Sequence, residues 1–223
     1  MQSRTSLAAT LALAALMLAA HPAFATAAPP TLVVLGDSLS AGYGLKAGEG
    51  WVSLLADRMA REGYGYRVVN ASVSGETTAG GLARLPHVID REHPALLVVE
   101  LGANDGLRGL PVPALAANLT AMARAGRTAG ARVVLVGMRL PPNYGAEYTS
   151  SFAAAFAAVA RAEHLPLVPF LLAPIASDAT RFQADGLHPV ATAEPALLDT
   201  VWPVLAPLLA APARGAPAGT RTP

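Results

Sequence analysis

The chain has 223 residues, 53% of them hydrophobic, with 16 basic and 15 acidic residues, a formal charge of +1 and no cysteine. Without cysteine there is no disulfide, no thiolate nucleophile and no thiol for a lipid anchor. The balanced charge, with no basic run or stripe, argues against nucleic-acid binding, and the absence of an HExxH pattern or a clustered histidine pair argues against a metal site.

Met1 to Arg4 carries one positive charge, Leu7 to Ala20 is apolar apart from Thr10, and Ala23-Phe24-Ala25 is a small-x-small cleavage site. This pattern predicts a secretory signal peptide over residues 1–25, cut after Ala25 or Ala27. Its apolar core of about 14 residues is short of the ~20 that a spanning helix needs, so no stable membrane anchor is expected. The mature chain is then periplasmic or secreted, close to zero charge, and about 198 residues long, ample for one hydrophobic core.

Thr31 to Leu35 is a continuous apolar, β-branched run closed by Gly36, which predicts a buried strand. Ser40 to Gly50 reads as a glycine-rich loop without the spacing of a phosphate-binding loop. Trp51 to Arg61 has helical spacing at Val52, Leu54, Leu55 and Met59. A second strand, Tyr66 to Ala71, runs into the polar turn Ser72 to Thr77, and a helix follows over Thr78 to Arg91. A third strand, Ala95 to Leu101, ends at Gly102-Ala103-Asn104-Asp105-Gly106, ahead of an alanine-rich helix over Pro113 to Ala129. Arg132 to Met138 is a fourth strand, Tyr148 to His164 a helix, and Leu165 to Phe170 a short fifth strand. The last helix, Ala193 to Leu209, is expected to be kinked or interrupted at Pro195 and Pro203.

Apolar strands alternating with helices predict an α/β domain, residues 26–210, built on a parallel sheet covered on both faces. Residues 211–223 are rich in Pro, Ala and Gly and read as a disordered tail. The chain is expected to act as a monomer.

Three successive strand ends carry polar, glycine-containing turns: Gly36-Asp37-Ser38, Ser74-Gly75 and Gly102-Ala103-Asn104-Asp105. Parallel strands bring such turns to one sheet edge, where ligands of open α/β sheets bind. Of the mature chain's histidines, His87 lies on a helix and His93 and His164 lie beside helix ends, where they read as structural. His188 differs, because Asp185 precedes it by three residues in a glycine turn. A carboxylate on one ring nitrogen leaves the other free to take a proton, the base that a serine nucleophile such as Ser38 needs. The backbone N–H groups of Ser38 and Gly75 and the amide of Asn104 are candidate oxyanion donors. The Gly-x-Ser-x-Gly elbow is absent, because position 40 is serine.

Gly36-Asp37-Ser38-Leu39-Ser40, Gly75, Gly102-Ala103-Asn104-Asp105 and Asp185-Gly186-Leu187-His188-Pro189 resemble the four blocks of the SGNH (GDSL-type) hydrolases. The resemblance runs from about Thr31 to Leu209 and is strongest to the exported thioesterase, lysophospholipase and arylesterase group. It implies a three-layer α/β/α sandwich with a flavodoxin-like, five-stranded parallel sheet. It also implies Ser38 as nucleophile, His188 as base, Asp185 as its orienter, Gly75 and Asn104 in the oxyanion hole, and hydrolysis of acyl esters or thioesters without a cofactor. Ala103 departs from the family, which commonly has a second glycine there. Asp37 and Asp105 are assigned turn-stabilising roles, and Glu100 carries no assigned role.

Leu107, Leu110, Pro141, Pro142 and Tyr144, on loops leaving the same edge, are expected to wall the acyl or aryl group. A carbohydrate O-acetylesterase with the same triad and a non-catalytic flavodoxin-like binding protein are the rival readings. Sparse aromatics weigh against the first, and the complete Ser, Gly, Asn and His set weighs against the second.

Overall fold

The computed structural model describes residues 28–209, so the expected signal peptide and tail lie outside the described residues. Five parallel strands form one sheet in the order β2-β1-β3-β4-β5: Thr31–Gly36 (β1), Arg67–Asn70 (β2), Pro94–Glu100 (β3), Arg132–Val136 (β4) and Leu167–Val168 (β5). β1 is buried at every position and β3 at all but one, as central strands covered on both faces must be. β2 lies at an edge and is only half buried. β5 is shorter than its apolar run suggests: Pro166 and Pro169 flank it, and neither has an N–H to extend the ladder.

The helices are Ser38–Ala41 (α1), Trp51–Arg61 (α2), Thr78–Glu92 (α3), Ala103–Leu107 (α4), Val112–Thr128 (α5), Ala146–Ala162 (α6) and Glu194–Leu205 (α7). α3, α5 and α6 pack side by side in one layer, and α2 packs on α7 in the other. The sheet between them carries the core, with Trp51, Phe152 and Phe156 the largest fully buried side chains. This is the α/β/α sandwich of flavodoxin-like order. The chain runs from β1 to β2 on one side and then returns to place β3 on the other side of β1. The crevice between the carboxyl ends of β1 and β3 is therefore the topological switch point.

Three local expectations are revised. The glycine-rich loop expected over Ser40 to Gly50 begins inside a helix, since residues 38–41 form α1, capped by the Asp37 side chain on the Leu39 N–H and ended by Gly42 at φ 75°. The turn after β3 coils into α4 behind Gly102, whose φ of 125° only glycine adopts readily. The last helix keeps Pro195 in its first turn, where its missing N–H costs nothing, and the irregular turns fall outside it at Ala191–Ala193 and Ala206–Leu208.

Candidate active site

β1 delivers Ser38 as the first residue of α1, at the switch point. Its hydroxyl lies 2.8 Å from Nε2 of His188, and Nδ1 of the same ring lies 2.7 Å from Oδ2 of Asp185. Oδ1 of Asp185 accepts the backbone N–H groups of Leu187 and His188 at 2.9 and 3.0 Å. Those backbone bonds, then the ring contact, pull the carboxyl down to about 2. An ionised carboxylate only accepts, so Nδ1 carries the ring proton and Nε2 is left as an acceptor facing Ser38. The tilted Tyr43 ring packs against the imidazole, with centroids 4.5 Å apart.

His188 sits outside regular structure, and hydrogen bonds fix its loop. Phe182 and Pro189 form an isolated antiparallel bridge, and the Gln183 N–H donates to the His188 carbonyl at 2.7 Å. The Gln183 side-chain amide donates to Tyr43 O at 2.8 Å and to Pro189 O at 2.9 Å, joining the loop after β1 to the histidine loop. Sequence reasoning missed Gln183. Nothing in the sequence pattern marks it; in the structure it packs on Gly44, at φ 74°, where an added Cβ would come within 2.2 Å of the Gln183 Oε1.

Asn104 lies in the first turn of α4, and its amide donates to Oδ2 of Asp37 at 3.1 Å. Gly75, at φ 80°, sits in an exposed turn after β2, and its carbonyl accepts from Arg108 at 2.8 Å. The Gly75 N–H and the second N–H of the Asn104 amide have no acceptor within the described protein. Ser38, Gly75 and Asn104 all face one cavity. Such open donors around a hydroxyl backed by an imidazole can stabilise charge on a carbonyl oxygen that the hydroxyl attacks.

Glu100 and Ser40 acquire a place beneath this cluster. Ser40 donates its hydroxyl to Glu100 at 2.6 Å, and Gly36 lies opposite Glu100 in the β1–β3 register. A Cβ at Gly36 would fall 2.7 Å from the Ser40 side chain and 2.9 Å from Glu100, so only glycine fits. Burial, followed by the Asp37 charge, pushes the Glu100 carboxyl well above the usual range. Burial also raises Asp37, to about 6, against the opposing pull of its bonds from Leu39 and Asn104.

The cavity, of about 730 Å³, is lined from the carboxyl ends of all five strands. Its walls are mainly apolar, and among the described residues Arg139 and His188 are their only basic side chains, with no carboxylate. Leu107, Pro141 and Pro142 line it, as does Ala103. Leu110 and Tyr144 do not, and line a separate depression beside α5 instead. The Tyr144 hydroxyl reaches the Leu107 carbonyl at the end of α4 at 3.3 Å, and Tyr148 on α6 holds the Leu110 carbonyl at 2.7 Å, so both residues are held against neighbouring elements outside the cavity. Sequence reasoning missed the walls supplied by Met138, Leu140, Phe170, Leu172 and Phe182. His87 is exposed on α3, and His93 and His164 take left-handed conformations at helix ends, all apart from the cluster.

Fold and polar cluster together define a hydrolase of flavodoxin-like α/β/α architecture. The chain belongs to the GDSL-like lipase/acylhydrolase family, whose model matches residues 34–193, and it is a hydrolase of ester bonds. It is 54% identical over 183 residues to the esterase TesA of Pseudomonas aeruginosa, spanning 82% of this chain and 91% of that protein. It is 39% identical over 186 residues to the thioesterase 1/protease 1/lysophospholipase L1 of Escherichia coli, spanning 83% and 88%. Among solved structures it is similar to the psychrotrophic esterase EstA of a Pseudoalteromonas species, inhibited by monoethylphosphonate. That match has a TM-score of 0.76 and 39% identity, and covers 79% of this chain and 97% of that one.

Proposed function

We propose that this chain is an exported serine esterase and thioesterase that hydrolyses acyl esters through an acyl-enzyme on Ser38. The observation that carries the reading is the continuous contact from Ser38 Oγ through His188 to Asp185, opening on an apolar cavity. Nε2 of His188 takes the hydroxyl proton as Oγ attacks the acyl carbonyl, and Asp185 keeps the imidazolium oriented. The oxyanion rests on the N–H groups of Ser38 and Gly75 and on the Asn104 amide. His188 returns the proton to the departing alcohol or thiol. Water then repeats the sequence on the acyl-enzyme and releases the acid.

The apolar walls favour an acyl chain over the acetyl group of a sugar ester. The names of the relatives add ester, thioester and lysophospholipid substrates to the same site. Among the described residues no helix is long and apolar enough to cross a membrane. Export rests on the leader pattern at the N-terminus.

A fluorophosphonate probe tests the reading. Applied to the exported fraction of cells making the protein, it labels one chain stoichiometrically, with an N-terminus at Thr26 or Ala28. Ser38→Ala abolishes the label. Folded wild-type protein that never labels, or a variant that labels normally, refutes the acyl-enzyme; an intact Met1 refutes cleavage.

A further inference from the structure

We propose that Arg108 is a positioning residue for the oxyanion hole, pinning Gly75 so that its N–H stays in register with the Asn104 amide. The inference rests on the proposed role of Gly75 and Asn104, and extends it to a residue with no assigned part in the reaction.

The two donors are unequally supported. Asn104 lies on α4, and its amide is held by the buried carboxylate of Asp37. Gly75 lies on an exposed turn. That turn is tied to β1 ahead of Gly75, where Val73 N–H donates to Gly36 O at 3.0 Å. It is tied again behind it, where Thr78 donates its N–H and hydroxyl to Asp105 at 2.8 and 2.5 Å. Between these anchors, the bond from Arg108 Nη2 to Gly75 O is the only hydrogen bond from Ser74 or Gly75 to another element among the described residues.

The left-handed turn requires glycine at 75, and glycine has the widest backbone freedom of any residue. An oxyanion donor is effective because it is fixed before charge develops. A glycine donor on an exposed turn therefore needs an external restraint, and Arg108 supplies one by fixing the carbonyl that shares its Cα.

The restraint comes from the element that carries the other donor. Arg108 closes α4 one turn beyond Asn104, its N–H donating to Asn104 O at 3.2 Å, and residues four apart lie on one helix face. α4 therefore presents Asn104 to the site, Asp105 to Thr78 and Arg108 to Gly75, and it sets the spacing between the two donors. Among the described residues Arg108 has no carboxylate partner, so its guanidinium is not engaged elsewhere.

The test compares Arg108→Met, which keeps the stem and removes every donor, with Arg108→Lys and with Asn104→Ala. With p-nitrophenyl butyrate, Arg108→Met lowers kcat about tenfold to a hundredfold, less than the ~10²–10³ for outright loss of a donor. KM stays within about twofold, and the rate of fluorophosphonate labelling falls with kcat. Arg108→Lys, still cationic and still a donor, recovers most of the rate. Wild-type kcat in Arg108→Met beside a slow Asn104→Ala overturns the role of Arg108 while leaving the oxyanion hole intact. A raised KM at constant kcat makes Arg108 a substrate-binding residue instead and also overturns it. Normal turnover in Asn104→Ala removes the oxyanion hole itself, and the inference with it.

Discussion

Both oxygens of Asp37 are committed: Oδ1 to the Leu39 N–H that starts α1, and Oδ2 to the Asn104 amide. The residue before the proposed nucleophile therefore also holds the proposed oxyanion donor, 67 positions later. Asparagine has one acceptor oxygen where aspartate has two, so Asp37→Asn must leave either α1 uncapped or Asn104 unheld. We expect kcat at pH 8 to fall about tenfold to a hundredfold, since a loosened donor costs less than a deleted one. Burial raises Asp37 to about 6, and the charged form is the one that accepts two bonds, so wild-type kcat should gain a contribution as pH rises through about 6. The variant should lack that contribution across a kcat profile from about pH 5 to 8. Wild-type kcat at pH 8 in Asp37→Asn would remove Asp37 from the site. An aspartate in a Gly-Asp-Ser turn is ordinary turn chemistry, which is why its sequence supports only the structural reading.

At the scale of elements, legibility followed chain locality. α2 and β1 are specified by periodicity and by the apolar run that Gly36 stops, and both are found where the pattern puts them. α1 and α4 were not legible, because helices of four and five residues are too short to show a period and are made by caps and glycine conformations. The polar turns at three strand ends were legible as a group, since parallel strands must bring them together. Leu110 and Tyr144 were misplaced because loop residues leave the sheet edge in directions set by long-range hydrogen bonds. Gln183 escaped notice for the same reason: its partners are 140 and 6 positions away. It adds a side-chain link between the segment after β1 and the histidine loop, beside the Ser38–His188 bond and the Tyr43–His188 ring contact. Gln183→Leu keeps the size and removes both donors. The carbonyl it frees at Tyr43 is exposed and water can satisfy it, while that of the buried Pro189 loses a partner, so the melting temperature should fall modestly. The histidine loop loses one of its tethers, and misplacement of the proposed base by a fraction of an ångström should lower kcat about tenfold or more. Steady-state kinetics beside a thermal melt decide it. Unchanged kcat, or losses confined to stability, would make Gln183 a fold residue only.

At the scale of the whole molecule, the site is built at the sheet's central crevice, where buried and exposed carboxyls hold their protons unequally. Asp37 is raised to about 6 and Glu194 to about 7, both chiefly by burial, while Asp185 is lowered to about 2 by backbone bonds. A carboxyl raised in the folded state contributes stability below its unfolded pKa and loses it as pH rises through the folded one. For Glu194 that window runs from 4.5 to about 7. Asp185 works in the opposite sense, its contribution present above 3.8 and lost as pH falls toward about 2. The two trends place the best stability on the acid side of neutrality. Glu194 separates stability from catalysis, because it lies at the start of α7, fully buried, and its Oε2 accepts the Trp51 N–H at 2.7 Å. It thereby caps α2, which Gly50 has no side chain to do. Glutamine offers the same acceptor without a buried charge. Glu194→Gln should therefore stabilise the protein at pH 8, by up to about 3 kcal/mol. In a domain of this size that is a rise of about 5 to 10 °C in melting temperature, and below pH 4.5 the gain should vanish. Melts of both proteins across the range check it. A variant that melts lower at pH 8, or whose shift is the same at every pH, would show that burial does not hold a proton on Glu194 in the folded state.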